Sequence, residues 1–488
     1  MRDFLLEPAW REVDLGLPLP ESPHACAVCL PTWDSVIGYE EGREQVIGRL
    51  QTGYPRFFLN PAVNALFSRA EQGIGHKGER AVVFPNRNAC QRAQRYVERK
   101  QSVATRIASF EGLQALLVPG DAYGAARDYW KHTGEVVSSR QAADALAGTL
   151  CKEGSRDLVG PLAAAIGVEA EGLFVYESGM AAIYSAHRIV TSRSPGRKTL
   201  QLEFPYVDAL KVQEQFGTGV AFLPHGTGEG LAEALQRIRG GEFSGVFCEV
   251  PSNPLLQTVD LAALAAACRI SGTPLIVDDT VSSHRNVDVF PHADLATTSM
   301  TKWISGEGDV MAGAVRINPD SPLYGELHDL LSDGAPGQSR LYRKDAEVLL
   351  ANAAGFGALV ERANVSGEIV AQFLQEHPAV GRVWYPKYVD RESYEAILRP
   401  GGGYGGLISM VLKNEKKAPA VYDALRWSKG PSLGTKFSLA CPYSLLAHYT
   451  ELDWAEGCGV RPDLLRLSVG MEDPGVLCES LGEALALG

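Results

Sequence analysis

Four short stretches set chemistry-bearing residues directly after apolar, strand-like runs. LFVY leads into Ser178-Gly179-Met180 and then a helical pattern. A glycine at a helix start lets backbone N–H groups approach an anion that the helix dipole favours, although Ser178 would equally serve as a plain N-cap. GVFC leads into Glu249-Val250-Pro251-Ser252-Asn253-Pro254. Prolines on both sides of Asn253 make a stiff mount for a ligand-facing amide, and also ordinary turn chemistry. PLIV leads into Asp278-Asp279-Thr280. A carboxylate at the end of a buried strand needs a donor or a cation: a metal, a pyridinium, an arginine or a helix N-terminus would serve. DLATT leads into Ser299-Met300-Thr301-Lys302, followed by Trp303 and Ile304. A lysine in apolar, aromatic surroundings can form a Schiff base, while a lone lysine is more often on the surface.

Together the four are more specific than any one of them. An anion cup, an aimed amide, a strand-end carboxylate and a lysine are what pyridoxal phosphate requires. Its phosphate takes helix N–H groups and hydroxyls, its aldehyde takes the lysine, and its ring nitrogen takes an aspartate that keeps it protonated as an electron sink. The expected cofactor is therefore pyridoxal 5'-phosphate, with no metal.

The elements that must position these residues follow from the surrounding pattern. From about 170 to 320, short apolar strands alternate with amphipathic helices, which indicates α/β architecture with a mostly parallel sheet covered on both faces. Ligands of such sheets sit at the carboxyl ends of the strands, where all four stretches fall. Residues 61–170 read as mostly helical, and 340–378 as a long helical stretch. VGRVWYP, LISMVLK and LLRLSVGME then read as strands of a smaller C-terminal α/β domain. The expected division is an extended arm over 1–60, a large cofactor domain over 61–345 and a small domain over 346–488. The run Gly401–Gly406 superficially resembles a dinucleotide loop, but a strand-like LISMVL follows it where a helix is required.

With 46 Lys+Arg against 58 Asp+Glu, the 488-residue chain has a net charge of −12, against the basic footprint of a general nucleic-acid binder. Nine cysteines, with one isolated Cys26-x-x-Cys29 pair, suit neither a disulfide scaffold nor a zinc site. The N-terminal residues lack a signal-peptide pattern, and no apolar run reaches membrane-span length. A cytoplasmic protein without membrane or nucleic-acid partners is expected.

The motifs YESGMAA, EVPSNP, IVDDT, SMTKWISGEGD, PSLGTKF and LLRLSVGMED resemble the Cys/Met-metabolism family of pyridoxal-phosphate enzymes, the cystathionine γ-synthase-like group, from about Tyr54 to Asp473. LPTW, GYPRFF and LACPYSLLAHYTELDWA resemble its fungal branch. The resemblance implies a fold type I transferase. Lys302 would hold the cofactor aldehyde and shuttle protons, Asp278 would pair with the ring nitrogen, and Asn253 would bond the 3-oxygen. Gly179 and Met180 would bind the phosphate through backbone N–H groups, with the hydroxyls of Ser299 and Thr301. Tyr206 would stack on the ring. Tyr54 and Arg56 would reach the phosphate of a neighbouring subunit, implying a catalytic dimer and a tetramer. Arg466 would clamp the substrate carboxylate, helped by Ser432, and Tyr206 or Tyr54 would handle further protons. The implied reaction is γ-substitution on an O-acyl-L-homoserine through a vinylglycine ketimine. The alternatives are a carbon or amine nucleophile, β/γ-elimination, and a non-catalytic binding module. Asp279 and Glu307 stand where the family often has Asn and His, and the stretch 74–150 is longer than its usual pattern.

Overall fold

The computed structural model describes residues 2–332 and 338–487. Its central element is a seven-stranded sheet. The strands are β4 (Leu173–Tyr176), β5 (Thr199–Leu202), β6 (Val220–Leu223), β7 (Val246–Glu249), β8 (Leu275–Asp278), β9 (Leu295–Ser299) and β10 (Gly313–Ile317); β1–β3 precede them in the chain and are described below. Their order is β4-β10-β9-β8-β7-β5-β6. β10 runs antiparallel to both its neighbours; the other six are mutually parallel. Parallel strands covered on both faces are apolar throughout, and LFVY of β4 is buried at all four positions. Each such side chain contributes roughly 1.5–3 kcal/mol on leaving water. The fold is α/β with a large mixed sheet and a smaller C-terminal sheet, as the alternation indicates.

The region read as mostly helical contains a second sheet. β1 (Glu79–Phe84), β2 (Arg106–Phe110) and β3 (Leu113–Pro119) form an antiparallel sheet in the order β1-β3-β2, flanked by helices Pro61–Ile74, Arg87–Gln101 and Tyr123–Thr133. AVVF and ALLV are apolar runs too short for periodicity to separate a strand from a buried helical turn. The resulting unit has its own core, which includes Phe67, Phe84, Leu116 and Trp130. That core continues onto Met180, Ile183 and Tyr184 of helix Gly179–Arg193 and Ala209 and Val212 of helix Val207–Gln215. The unit thus braces the two helices that follow β4 and β5.

The C-terminal sheet comprises β11 (Val380–Trp384), β12 (Leu407–Leu412), β13 (Ser428–Lys429), β14 (Leu439–Pro442) and β15 (Leu465–Ser468), ordered β11-β12-β15-β14-β13. β11, β12 and β15 are the three runs legible in the sequence. The glycine run 401–406 enters β12, and the N–H groups of Gly403 and Gly405 donate to the amide oxygens of Asn286 and Asn364.

The arm rests on the small domain of its own chain. Lys429 N–H donates to Ala9 O (3.1 Å), Leu30 N–H to Lys429 O (3.0 Å) and Tyr422 Oη to Leu30 O (2.7 Å). Val28, Leu30 and Val36 join a core with Tyr422, Trp427 and Leu467.

Candidate active site

The four stretches meet at the carboxyl edge of the central sheet. In register, Asp278 of β8 lies between Glu249 of β7 and Thr297 of β9. Ser178 caps helix Gly179–Arg193, its Oγ accepting from Ala181 N–H (3.1 Å) and donating to Gly134 O (2.9 Å). The N–H groups of Gly179 and Met180 lie in the first helical turn and have no intrahelical acceptor. Gly179 approaches β9 so closely that a Cβ there would sit 2.6 Å from Ser299 Cβ. Only glycine lets the helix start abut the strand end. The connection from β8 to β9 is irregular, with no crossover helix, yet it still returns Lys302 to the same edge.

Lys302 is buried, and its Nζ donates to Ser432 Oγ (3.0 Å) and Tyr54 Oη (3.2 Å). Its ammonium also lies 4.9 Å from the centroid of the Tyr54 ring. Burial opposes ionisation of the Tyr54 hydroxyl, but the charges of Lys302 and Arg56 outweigh it, so its pKa lies below the ordinary tyrosine value. Asp278 accepts from Thr280 N–H (2.9 Å) and Thr297 Oγ1 (2.8 Å). Burial pushes its pKa up to about 6 against the pull of those two donors. Glu249 accepts from the backbone N–H groups of Tyr206 (2.7 Å) and Asn253 (3.2 Å), and burial followed by the Asp278 charge raises it well above the carboxylate range.

Arg466, on β15, donates to Asn253 Oδ1 (3.0 Å) and Ser432 O (3.0 Å), with its guanidinium 4.8 Å from the Tyr443 ring centroid. The Asn253 amide and Ser432 carbonyl thereby fix the guanidinium plane at the cleft. Thr301 Oγ1 exchanges hydrogen bonds with the backbone of Ala312 (3.0 and 3.3 Å), and Ser299 N–H donates to Thr280 Oγ1 (2.7 Å).

The resemblance gives Tyr54 and Arg56 to a neighbouring subunit's site; within the single chain described they lie against its own Lys302, Tyr206 and Asp208. The arm is held on the small domain, and Arg56 is buried within three tethers. It donates to Lys131 O (2.6 Å), Asp208 Oδ2 (2.5 Å) and Tyr206 Oη (2.6 Å). Asp208 also bonds the His132 ring (2.8 Å), and its pKa is held near 2, burial being outweighed by Arg56 and His132. The Tyr206 hydroxyl is pushed well above the tyrosine range by burial, which the Arg56 charge only partly offsets.

All twelve candidate site residues line one cleft: Tyr54, Arg56, Gly179, Met180, Tyr206, Asn253, Asp278, Ser299, Thr301, Lys302, Ser432 and Arg466. Sequence reasoning missed Glu249 as a buried acceptor, Asp208 and His132 as the Arg56 tether, and Glu40 and Cys441 in the wall. EVPSNP carried a visible signal for Glu249, and LACPYSLLAHYTELDWA contains Cys441; Asp208, His132 and Glu40 lie in no such stretch. The two departures from the family pattern take structural partners. Asp279 is buried against Arg316 and Thr298, and Glu307 pairs with Lys436 (2.6 Å) at the surface.

The chain's match to the family model "Cys/Met metabolism PLP-dependent enzyme" covers residues 158–486, the whole of both larger sheets. The chain belongs to this family. It is a cystathionine γ-synthase-like, pyridoxal-phosphate-dependent enzyme. Residues 62–138 match the N-terminal domain of fungal trans-sulfuration enzymes, which coincides with the three-stranded unit. A Neurospora crassa cystathionine gamma-synthase is 32% identical, with 97% of this chain and 98% of that protein covered. The cystathionine gamma-synthase-like enzyme iboG2 of Amanita muscaria is 30% identical, with 97% and 96% covered. Among solved structures, cystathionine gamma synthase of Xanthomonas oryzae pv. oryzae, in complex with aminoacrylate and cysteine, has a TM-score of 0.58 and 26% identity, with 68% of this chain and 85% of that chain covered.

The residues present fit the cofactor. Among the described residues Asp278 has hydrogen-bond donors but no cationic partner, and burial leaves its anion in want of one; a protonated ring nitrogen meets that need. Lys302 is held by two hydroxyls and by no carboxylate among the described residues, which leaves the amine open to a carbonyl.

Proposed function

We propose that the chain catalyses γ-substitution on an O-acyl-L-homoserine, with a thiol nucleophile as in cystathionine γ-synthases. The observation that carries the reading is the shape of the cleft around Lys302. The amine stands between Tyr54 and Ser432, Arg466 is anchored through Asn253 and Ser432, and the same cavity is walled also by Tyr39, Glu40, Leu446 and Ala447. On this reading that further wall receives a second reactant beside the amino acid. Identity of 32% with the Neurospora enzyme across nearly the whole of both chains supports the same reading.

Bound pyridoxal phosphate supplies an electron sink for charge developing at the substrate Cα. Asp278 would face its ring nitrogen, Tyr206 its ring and Asn253 its 3-oxygen. Gly179, Met180, Ser299 and Thr301 would hold its phosphate, with Arg56 adding charge beside them. Arg466 binds the substrate carboxylate bidentately. Lys302 Nζ removes the Cα proton and returns protons along the substrate chain. Tyr54, hydrogen-bonded to that amine and lowered in pKa, is the group suited to exchange protons with leaving group and nucleophile. Tyr206 is not, because Arg56 and Asp208 hold its hydroxyl and its proton is tightly bound.

Incubation with O-acetyl-L-homoserine, with and without L-cysteine, tests the reading. Cystathionine formed only with cysteine supports substitution. Release of 2-oxobutanoate and ammonia at the same rate with or without cysteine makes the enzyme a lyase instead.

A further inference from the structure

Glu40 is the last residue of helix Trp33–Glu40 and lines the cleft, as do Tyr39, Phe57, Leu446 and Ala447. Three things disfavour a carboxylate there. A helix C-terminus carries partial negative charge, and this one has no basic residue in its last turn. The side chain lies in a largely apolar wall. Among the described residues, no hydrogen bond or ion pair is made by its carboxylate. The adjacent Glu41 is, by contrast, fully engaged, accepting from Arg43 Nε (2.7 Å) and Tyr449 Oη (2.5 Å). Burial pushes the Glu40 carboxyl up to about 7, against the pull of the Lys131 charge. Lys131 itself lies over the Phe57 ring (5.7 Å).

An unpaired carboxylate in an apolar wall is costly unless something pairs with it. The same cleft gathers Lys302, Arg56 and Arg466, suited to a phosphate and a carboxylate, and Glu40, an unpaired acid suited to an ammonium group. We propose that Glu40 selects an amino-acid nucleophile, its carboxylate receiving the ammonium group of the incoming second substrate. The first substrate has no use for Glu40, because its own amine is committed at Lys302. The assignment rests on the γ-substitution reading and gives it a nucleophile class: an amine-bearing thiol is favoured over the same thiol without the amine.

The test compares L-cysteine with 3-mercaptopropionate, which is cysteine lacking its amine, in the cofactor-loaded enzyme and its Glu40→Gln variant with O-acetyl-L-homoserine. In the variant, KM for cysteine should rise about tenfold or more, as expected for loss of a desolvated charge contact. KM for O-acetyl-L-homoserine, KM for 3-mercaptopropionate and the cofactor absorbance should stay unchanged, and Glu40→Asp should recover part of the cysteine preference. A general packing defect would move all of these together. An equal rise for both thiols, an unchanged KM for cysteine, or an unaltered enzyme that uses both thiols equally well overturns the assignment while leaving substitution standing. No substituted product from the unaltered enzyme with either thiol overturns the substitution reading and this assignment with it.

Discussion

At the scale of single residues, the site is a set of charges held apart until ligands pair them. Asp278 shows the cost. Its pKa is about 3.8 as an ordinary carboxyl and about 6 in the fold. The folded state therefore binds the proton more tightly, and stability falls as pH rises between these values, with the loss complete above pH 6. About two pKa units correspond to roughly 3 kcal/mol. Asp278→Asn should accordingly raise the melting temperature of cofactor-free enzyme at pH 7, and flatten its decline between pH 4 and 6, while weakening cofactor binding. A thermal melt across that pH range, paired with a cofactor titration, checks both halves. Arg466 is held by Asn253 Oδ1 and Ser432 O. Arg466→Lys keeps the charge but loses the planar fork. KM for the amino-acid substrate should rise by about one to two orders of magnitude, with cofactor absorbance intact; steady-state kinetics on the loaded variant measures this. Lys302, Asp278, Asn253 and Arg466 were legible because each ends or sits in an apolar strand pattern, where a polar residue needs a reason. Glu40 and Asp208 were not, because a carboxylate at a helix end is the commonest of surface features and only tertiary packing buries it.

At the scale of elements, the central alternation was readable because buried parallel strands and amphipathic helices have different periods. The three-stranded unit was not, since its strands are as short and apolar as a helical core face. Its function emerges only in contacts. Gly134, at the end of its helix Tyr123–Thr133, sits at φ +68°, and a Cβ there would lie 2.2 Å from Ser178 Oγ. This glycine lets the unit touch the cap of the helix that starts the phosphate cradle. Gly134→Ala combines left-handed strain of about 1 kcal/mol with a clash at the cap. Cofactor affinity should fall together with melting temperature, whereas Gly148→Ala, equally left-handed but with open space around it, should lower only the melting temperature. Parallel cofactor titrations and melts of the two variants distinguish a local cap effect from general strain.

At the scale of the whole molecule, the arm, the three-stranded unit and the large domain converge on Arg56, whose partners come from residues 131, 206 and 208. The sequence shows the Tyr54–Arg56 motif but not which chain's site it enters, because an extended arm without periodicity has no preferred direction. A cleft closed by its own chain's arm predicts that two inactive variants cannot repair one another. An equimolar mixture of Lys302→Ala and Arg56→Ala chains, unfolded and refolded together, should recover no activity above the separate variants. Arms exchanged between chains would instead regenerate intact sites, and the recovered rate reads this directly.

The hydrogen bonds of Ala9 and Leu30 with Lys429 carry a consequence for synthesis. More than four hundred residues separate Ala9 from the strand it rests on, so the arm leaves the ribosome long before its seat exists. Until β13 and β14 emerge, Val28, Leu30 and Val36 have nowhere to pack, and Tyr54 and Arg56 cannot be set. The segment translated early is thus among the last to be sheltered. A nascent chain trimmed there by a protease would go on to fold its sheets around a cleft that lacks its lysine's tyrosine partner.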